Sequence, residues 1–556
     1  MPFPVRTLRA AALAVLVAVG LAGCGDDNNA PPATPPASTG LTATVAQDGS
    51  SIAVSWSAVT GATSYTLERA EAASPGSFTA VGGTLTTTSY TDAAIAPGAS
   101  YSYRVAAVNG SGSGTFSSTV NATVAGVKVA TLTGNLTADR TLFADTLYTL
   151  SGYVKVGNGK TLTIQPGTTI VGDPNVAGSS LWILRGSKID AQGTADAPIV
   201  FTSGRPAGQR KPGDWGGLII IGNGEINRSG TVLTEGPQGI TEPYSGGTDN
   251  ADNSGTLRYV RVEFAGYDVT SGAGQELNSF SLYAVGSGTT LEYVQSLAGL
   301  DDAFEWWGGA VDGRYLVSYE SGDDHFDWTE GYRGRNQFLI AFQSTRLDPA
   351  ANAGVLATDP EGFEADGCNG NGCDLGFDSQ PFSVPVFANF TLIGPGTATT
   401  LTSAGDIGIV LRRGTGGYLT NGIVARWQRQ GLTVRDAQTG ARITSDSLNV
   451  VNLLLAENTT NYDADAGADF GKSATFAADN HVLAPGTAAS LFTNLTAGSF
   501  DWTPTATAAS GAGTVVIPSE YTGGFFGATL PNTTYFGAAD PAGPKWWEGW
   551  TNYATN

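Results

Sequence analysis

"LDDAFEW" at residues 300–306 and "GDDHFDW" at residues 322–328 are nearly the same acidic, aromatic phrase, written twice 22 residues apart. Either copy alone is ordinary surface sequence. The repeat is not, because neighbouring segments keep the same spacing. Phe280, in "NSFSLYAVGSG", lies 24 residues before Phe304. Leu291 in "LEYV" precedes Leu316 in "YLVSY" by 25, and Phe338 in "FLIAF" follows 22 later. A period of this length matches one coil of a solenoid made of short strands, with the next coil pairing to it at about 4.8 Å. Apolar residues at equivalent positions then stack as ladders inside.

The surrounding texture agrees. From residue 127 onward, "TLTIQPGTTIVG", "SLWILRGSKIDAQGT" and "APIVFTSG" are short β-branched runs punctuated by Gly, Asp and Asn. No amphipathic helical stretch breaks the series. Many short strands suit a sandwich, a propeller or a solenoid, and the coil-length repeat selects the solenoid. The fold class read here is all-β, with a right-handed parallel β-helix over 127–556.

This part of the chain resembles the right-handed β-helix proteins of the pectin-lyase-like superfamily. A narrower resemblance rests on "GKTLTIQPGTTIVG", "RGSKIDAQGTADAPIVFTS", "GDWGGLIIIGNG", "DNSGTLRYVRVEFAGY", "DDHFDWTEGYRGRNQFLIAFQ" and the terminal "WWEGWTNY". These are similar to a widespread family of bacterial exported β-helix proteins, many of them lipoproteins and few with an assigned activity.

The N-terminal segments set the expected compartment. Arg6 and Arg9 precede "AALAVLVAVGLAG", an apolar run too short to span a bilayer permanently. "LAGC" follows and looks like a bacterial lipobox, which implies a signal peptide over 1–23 and lipidation of Cys24. Residues 24–39, "CGDDNNAPPATPPAST", form a polar, Pro-rich tether. Residues 40–126 alternate in short strands: "SIAVSWSAV" turns Ile52, Val54 and Trp56 to one side, and "TSYTLERA" and "YSYRVAAVN" repeat the pattern. With Trp56, Tyr65 and "IAPGASYSYRVAAVN", this stretch is similar to a fibronectin type III module, with Tyr101 at its tyrosine-corner position. Such modules act as spacers on bacterial surface proteins.

Charge narrows the function classes. With 49 Asp+Glu against 28 Lys+Arg, the net charge of −21 repels nucleic acid and favours cations. Only two histidines, His325 and His481, leave little room for His-based triads or His-rich metal sites. The cysteines beyond Cys24 are Cys368 and Cys373 in "CNGNGC", expected as a disulfide that pins an insertion near 345–385.

Aligning the coils on phenylalanine exposes an acidic ladder. Two residues before it stand Asn278, Asp302, Asp324 and, after a longer coil, Glu361. Just after it stand Ser281, Glu305, Asp327 and Glu364, with Asp301, Asp323 and Asp366 extending the set. Carboxylates about 5 Å apart on successive coils repel by roughly 3 kcal/mol at a surface-like dielectric. Ca²⁺ relieves this with hard oxygen ligands, and Arg333 and Arg335 are nearby cations in sequence. Solvated acids capping turns are the plainer reading, and a catalytic or ligand-binding cleft is the third. Trp306, Trp307, Trp328 and Tyr332 sit beside the acids. Exposed, they would hold a sugar ring; buried, they would stack in a turn or cap.

Some proteins of the resembled superfamily cleave polysaccharides, either with aspartate trios or with Ca²⁺ and an Arg or Lys base. Under that reading Asp302, Asp324, Asp327, Arg333 and Arg335 carry the chemistry, although the "GHG" and "RIK" elements that accompany such hydrolases are missing from this sequence. The leading expectation is instead a lipid-anchored protein of the outer membrane or cell surface. It binds a polysaccharide or a surface protein without catalysis, binds no nucleic acid, and has a calcium-stabilised ladder. Trp546, Trp547 and Trp550 are expected to cap the last coil.

Overall fold

Phe280, Phe304, Phe326 and Phe363 occupy one register position on four successive parallel strands. Their rings stack at 4.8 and 5.3 Å for the first two pairs, and the last meets its neighbour edge-on at 5.6 Å. This is the axis of a computed structural model that describes residues 33–46, 51–268, 270, 275–396, 405–462, 470, 472–482, 491–495, 500–505 and 530–556. The signal peptide and Cys24 lie outside the described residues.

The chain divides into two units, Met1–Val127 and Lys128–Asn556. The first pairs its strands antiparallel in a three-stranded and a five-stranded sheet. Ile52, Val54, Trp56, Leu67, Tyr103 and Val105 fill its core. The Tyr101 hydroxyl accepts the backbone N–H of Ala96 at 2.8 Å, closing a tyrosine corner.

The second unit is a parallel β-helix. Among the described residues it forms an 11-stranded and a 17-stranded sheet, and the chain alternates between them coil by coil. Alternation decides the packing: in Phe304–Trp307, Phe304 and Trp306 turn to the core, while Glu305 and Trp307 turn out. In the wider sheet a non-glycine residue in the left-handed region recurs inside successive central strands: Tyr259, Tyr293, Tyr315, Phe338 and Asn389, with φ from 49° to 64°. Each interrupts the pairing at the same point, so two short strands share one corner. At the aromatic positions the strain of order 1–3 kcal/mol per residue is offset by ring stacking: Tyr259 on Tyr293 and Tyr293 on Tyr315 at 4.4 Å, Tyr315 on Phe338 at 5.1 Å.

Four expectations are corrected. Leu291 aligns with Gly313, and Leu316 with Val294 and Leu339 rather than with Leu291 and Phe338, because the left-handed corner shifts the apparent period. Two short helices, Ala437–Thr444 and Ser473–Asp479, interrupt the strands, and Phe476 of the second joins the core. The 345–385 insertion is two loops, since Glu361–Asp366 between them is a strand of the narrow sheet; Cys368 and Cys373 are bonded, with Cys368 buried. The terminal tryptophans cover a side wall, not an end. Trp550 meets Tyr259 and Tyr293 edge-on, Trp546 leans on Tyr315, and Gln295 bonds the backbone of Asn552 in both directions. Among the described residues no helix is long and apolar enough to cross a membrane.

Candidate functional site

The acids of the repeated phrase reach one cavity along two rows. The first row lies just before the narrow-sheet strands and is tied into a side-chain ladder. The Asn278 amide oxygen accepts the N–H of Asp302 (3.1 Å), Asp302 Oδ1 accepts that of Asp324 (2.8 Å), and Asp324 Oδ1 accepts that of Glu361 (2.5 Å). One oxygen of each aspartate therefore caps the next coil, as the turn reading expects. Gly322 permits this closeness, because a Cβ there would lie 1.8 Å from the Leu300 carbonyl oxygen.

The second row, Ser281, Glu305, Asp327 and Glu364, is in direct register on the outward face of the strands. Outward does not mean exposed here. Glu235, Glu276 and the Val355–Asp359 loop close over the row and leave a cavity of about 480 Å³. Ten carboxylates and, among the described residues, no Lys or Arg line it. Asp302, Asp324, Asp327 and Glu364 are buried, and Asp301 and Asp323 half-buried.

Among the described residues three carboxylate triads result: Asp301, Asp302 and Asp323; Asp302, Glu305 and Asp327; Asp324, Asp327 and Glu364. Within each, one oxygen per residue lies within 4.8 Å of the others. Asp302 and Asp327 each belong to two triads, so the three are joined corner to corner. Asp327 Oδ1 is buried and has no hydrogen-bond partner among the described residues. Burial, reinforced by neighbouring carboxylates, raises the proton affinity of the cluster. Asp323 is pushed up to about 8, with Asp359 the main charged neighbour, and Asp327 up to about 7, with Asp366 the main one. Asp301, Asp302, Glu305, Asp324, Glu361 and Glu364 shift the same way for the same first cause.

Of the nine acids singled out as metal ligands, Asp301, Asp302, Glu305, Asp323, Asp324, Asp327 and Glu364 line the cavity, and Glu361 and Asp366 do not. Asp366 is held by Arg412 (2.8 Å) and by Arg413, and Arg412 also pairs with Glu364. One end of the ladder is thus neutralised, and the charge of Arg412 also reaches Asp323 and Asp327, but among the described residues no Lys or Arg lines the cavity itself. Glu235 escaped sequence reasoning because it arrives on an excursion far from the ladder, and Glu276 and Asp359 because they stand four residues before Phe280 and Phe363, a position that is Leu300 and Gly322 in the two coils between. Arg412 and Arg413 escaped it because the two loops around Glu361–Asp366 displace the next coil.

The neighbours assigned to ligand binding or catalysis lie elsewhere. Trp306 stacks on Tyr332 at 5.3 Å and Trp328 on Phe387 at 4.6 Å, all inside the core. Trp307 faces outward but lies against Tyr283 at 3.9 Å and is 5% exposed. None offers a ring face to a sugar. Arg335 is locked to Asp312 by two hydrogen bonds of 3.1 and 2.6 Å, both side chains buried. Arg333 lines a separate groove. Neither arginine compensates the ladder, because both sit at the far end of the strands that the acids precede. His325 is buried, with its Nδ1 2.6 Å from Ser318 Oγ, and burial lowers it to about 3, so it stays neutral.

Comparison with known proteins places these features in a family. Residues 134–503 match the family model described as pectate-lyase like beta helix domain, and residues 34–123 match the fibronectin type III domain. No curated protein matches the chain. Similar solved structures include a Fn3-like protein from Clostridium thermocellum, 33% identical, covering 16% of this chain and 92% of its own with a TM-score of 0.15. The sixth fibronectin type III domain of human fibronectin type III domain containing protein 3 is 22% identical, covering 17% of this chain and 92% of its own with a TM-score of 0.16. The family match spans most of the chain, and the chain therefore belongs to the pectate-lyase-like β-helix family, with a fibronectin type III domain ahead of its β-helix.

Proposed function

We propose that this is an exported, lipid-anchored surface protein whose β-helix holds divalent cations, Ca²⁺ above all, in the acidic cavity, and which binds a glycan or protein ligand without catalysis. The carrying observation is the buried, unpartnered Asp327 oxygen at the junction of two carboxylate triads. A buried polar atom without a partner costs about 1–3 kcal/mol, and more when charged. A cation removes that cost. The donor set is all oxygen, which suits Ca²⁺ with its six to eight oxygen ligands. Asp302, Glu305, Asp324, Asp327 and Glu364 would hold it, and it would fasten the Val355–Asp359 loop to the coils beneath. Arg6, Arg9 and the "LAGC" ending at Cys24 support export and lipid anchoring.

Calorimetric titration of Ca²⁺ into chelator-treated protein tests the reading. Saturable binding that disappears in Asp302→Asn and Asp327→Asn supports it; no heat with intact fold rejects it. The cavity volume, about 480 Å³, exceeds what ions need and favours a second reading, a calcium-dependent polysaccharide lyase or glycoside hydrolase. Cleavage of acidic polysaccharides in the presence of calcium, lost in Asp324→Asn, would replace the first reading with the second.

A further inference from the structure

A second cavity, of about 520 Å³, opens across the turns that lead from the narrow sheet into the wide one. Ser287, Ala310 and Arg333 come from three consecutive coils, 23 residues apart each time. Phe382, Val384 and Tyr418 form the facing side. Its lining shares no residue with that of the acidic cavity.

The charges in this groove separate cleanly. Arg335 and Asp312 lie in its floor and neutralise each other. Arg442 lies over the Phe382 ring, 3.7 Å from its centroid, and is paired with Asp378 at 2.6 Å. Arg333 is different. Its backbone N–H donates to the Gly309 carbonyl at 3.0 Å, but its guanidinium has no carboxylate partner among the described residues. In a chain with 49 acids and 28 bases, a half-buried arginine left unpaired beside an apolar wall is out of keeping with its surroundings. A guanidinium fork matches a carboxylate bidentately. One uncompensated positive charge suits a monoanion, and the Phe382 and Val384 wall suits an apolar or ring-shaped body.

We propose that this groove binds a small organic monocarboxylate, its oxygens on the Arg333 guanidinium and its apolar body against Phe382 and Val384. The reading is independent of cation binding in the other cavity.

The test uses the full chain and two probes, benzoate and cyclohexanecarboxylate, with benzamide as the neutral control of matching shape. Binding is followed by calorimetry, or by ligand-observed NMR for weak affinities. Both carboxylates should bind, with benzamide at least about tenfold weaker, as expected for a hydrogen bond to a charged group. Arg333→Gln should weaken carboxylate binding about tenfold and leave benzamide unchanged. Its melting temperature should stay at the parent value, which separates lost binding from lost fold. Equal binding of benzoate and benzamide would overturn the proposal. So would carboxylate affinity that survives Arg333→Gln, or no binding of either carboxylate up to about 10 mM.

Discussion

Asp327→Asn removes one charge and almost no volume, and its effect on stability should change sign with calcium. Asp327 shares triads with Asp302 and Glu305 and with Asp324 and Glu364, the oxygens lying within 4.8 Å. Two unit charges at that distance repel by about 3.5 kcal/mol at an effective dielectric of about 20. Proton uptake relieves part of this: with Asp327 pushed up to about 7, it is about half ionised at neutral pH, and its neighbours are raised too. The relief on neutralising it in chelator is then about 1–2 kcal/mol, or a rise in melting temperature of roughly 2 °C for a unit this large. In calcium the variant lacks a shared ligand. A tenfold weaker site forfeits about 1.4 kcal/mol of ligand stabilisation, so the variant should melt below the parent. Melting of both proteins by circular dichroism, in chelator and in millimolar Ca²⁺, reads the sign directly. A shift of the same sign in both buffers, or none in either, would refute the reasoning.

Three further outcomes follow from the same geometry. Phe326→Ala removes a fully buried ring held between Phe304 and Phe363 and should cost about 3–5 kcal/mol in denaturant unfolding. Arg412→Gln deprives Glu364 of its cation and Asp366 of one of two; loss of about 2 kcal/mol is expected, below the value for a fully buried pair because Arg412 is 21% exposed, and calcium should restore part of it. In chelator, the fold holds protons on Asp323 and Asp327 that the unfolded chain has released above about pH 4. Stability should therefore fall as pH rises from about 4 to 8, and calcium should flatten that slope; melting curves at pH 5 and 8 check both.

The fold was legible because the period is written in large aromatic residues. Phe280, Phe304, Phe326 and Phe363 keep register, so the strand pairing can be read directly from their spacing. The wide sheet was harder to read, since the left-handed residue at Tyr293, Tyr315 and Phe338 inserts a corner that no propensity announces. The acids were legible as a ladder but not as a cavity. Burial of the outward row depends on Glu235 and the 355–359 loop, which arrive on insertions with no periodic signature, and on Glu276, whose position is Leu300 and Gly322 in the next two coils. The same rule that aligned the acids could have placed the tryptophans: Trp306 and Trp328 are two residues from an inward phenylalanine, so they share its face.

Metal content is the most direct measure of the central claim. The full chain is dialysed against micromolar Ca²⁺ after chelator treatment, and its calcium is determined by elemental analysis beside an Asp302→Asn, Asp327→Asn double variant of confirmed fold. Cation binding by the joined triads predicts at least one tightly held calcium per chain in the parent, lost from the variant. A parent protein that emerges free of calcium, or a variant that retains as much as the parent, would contradict it.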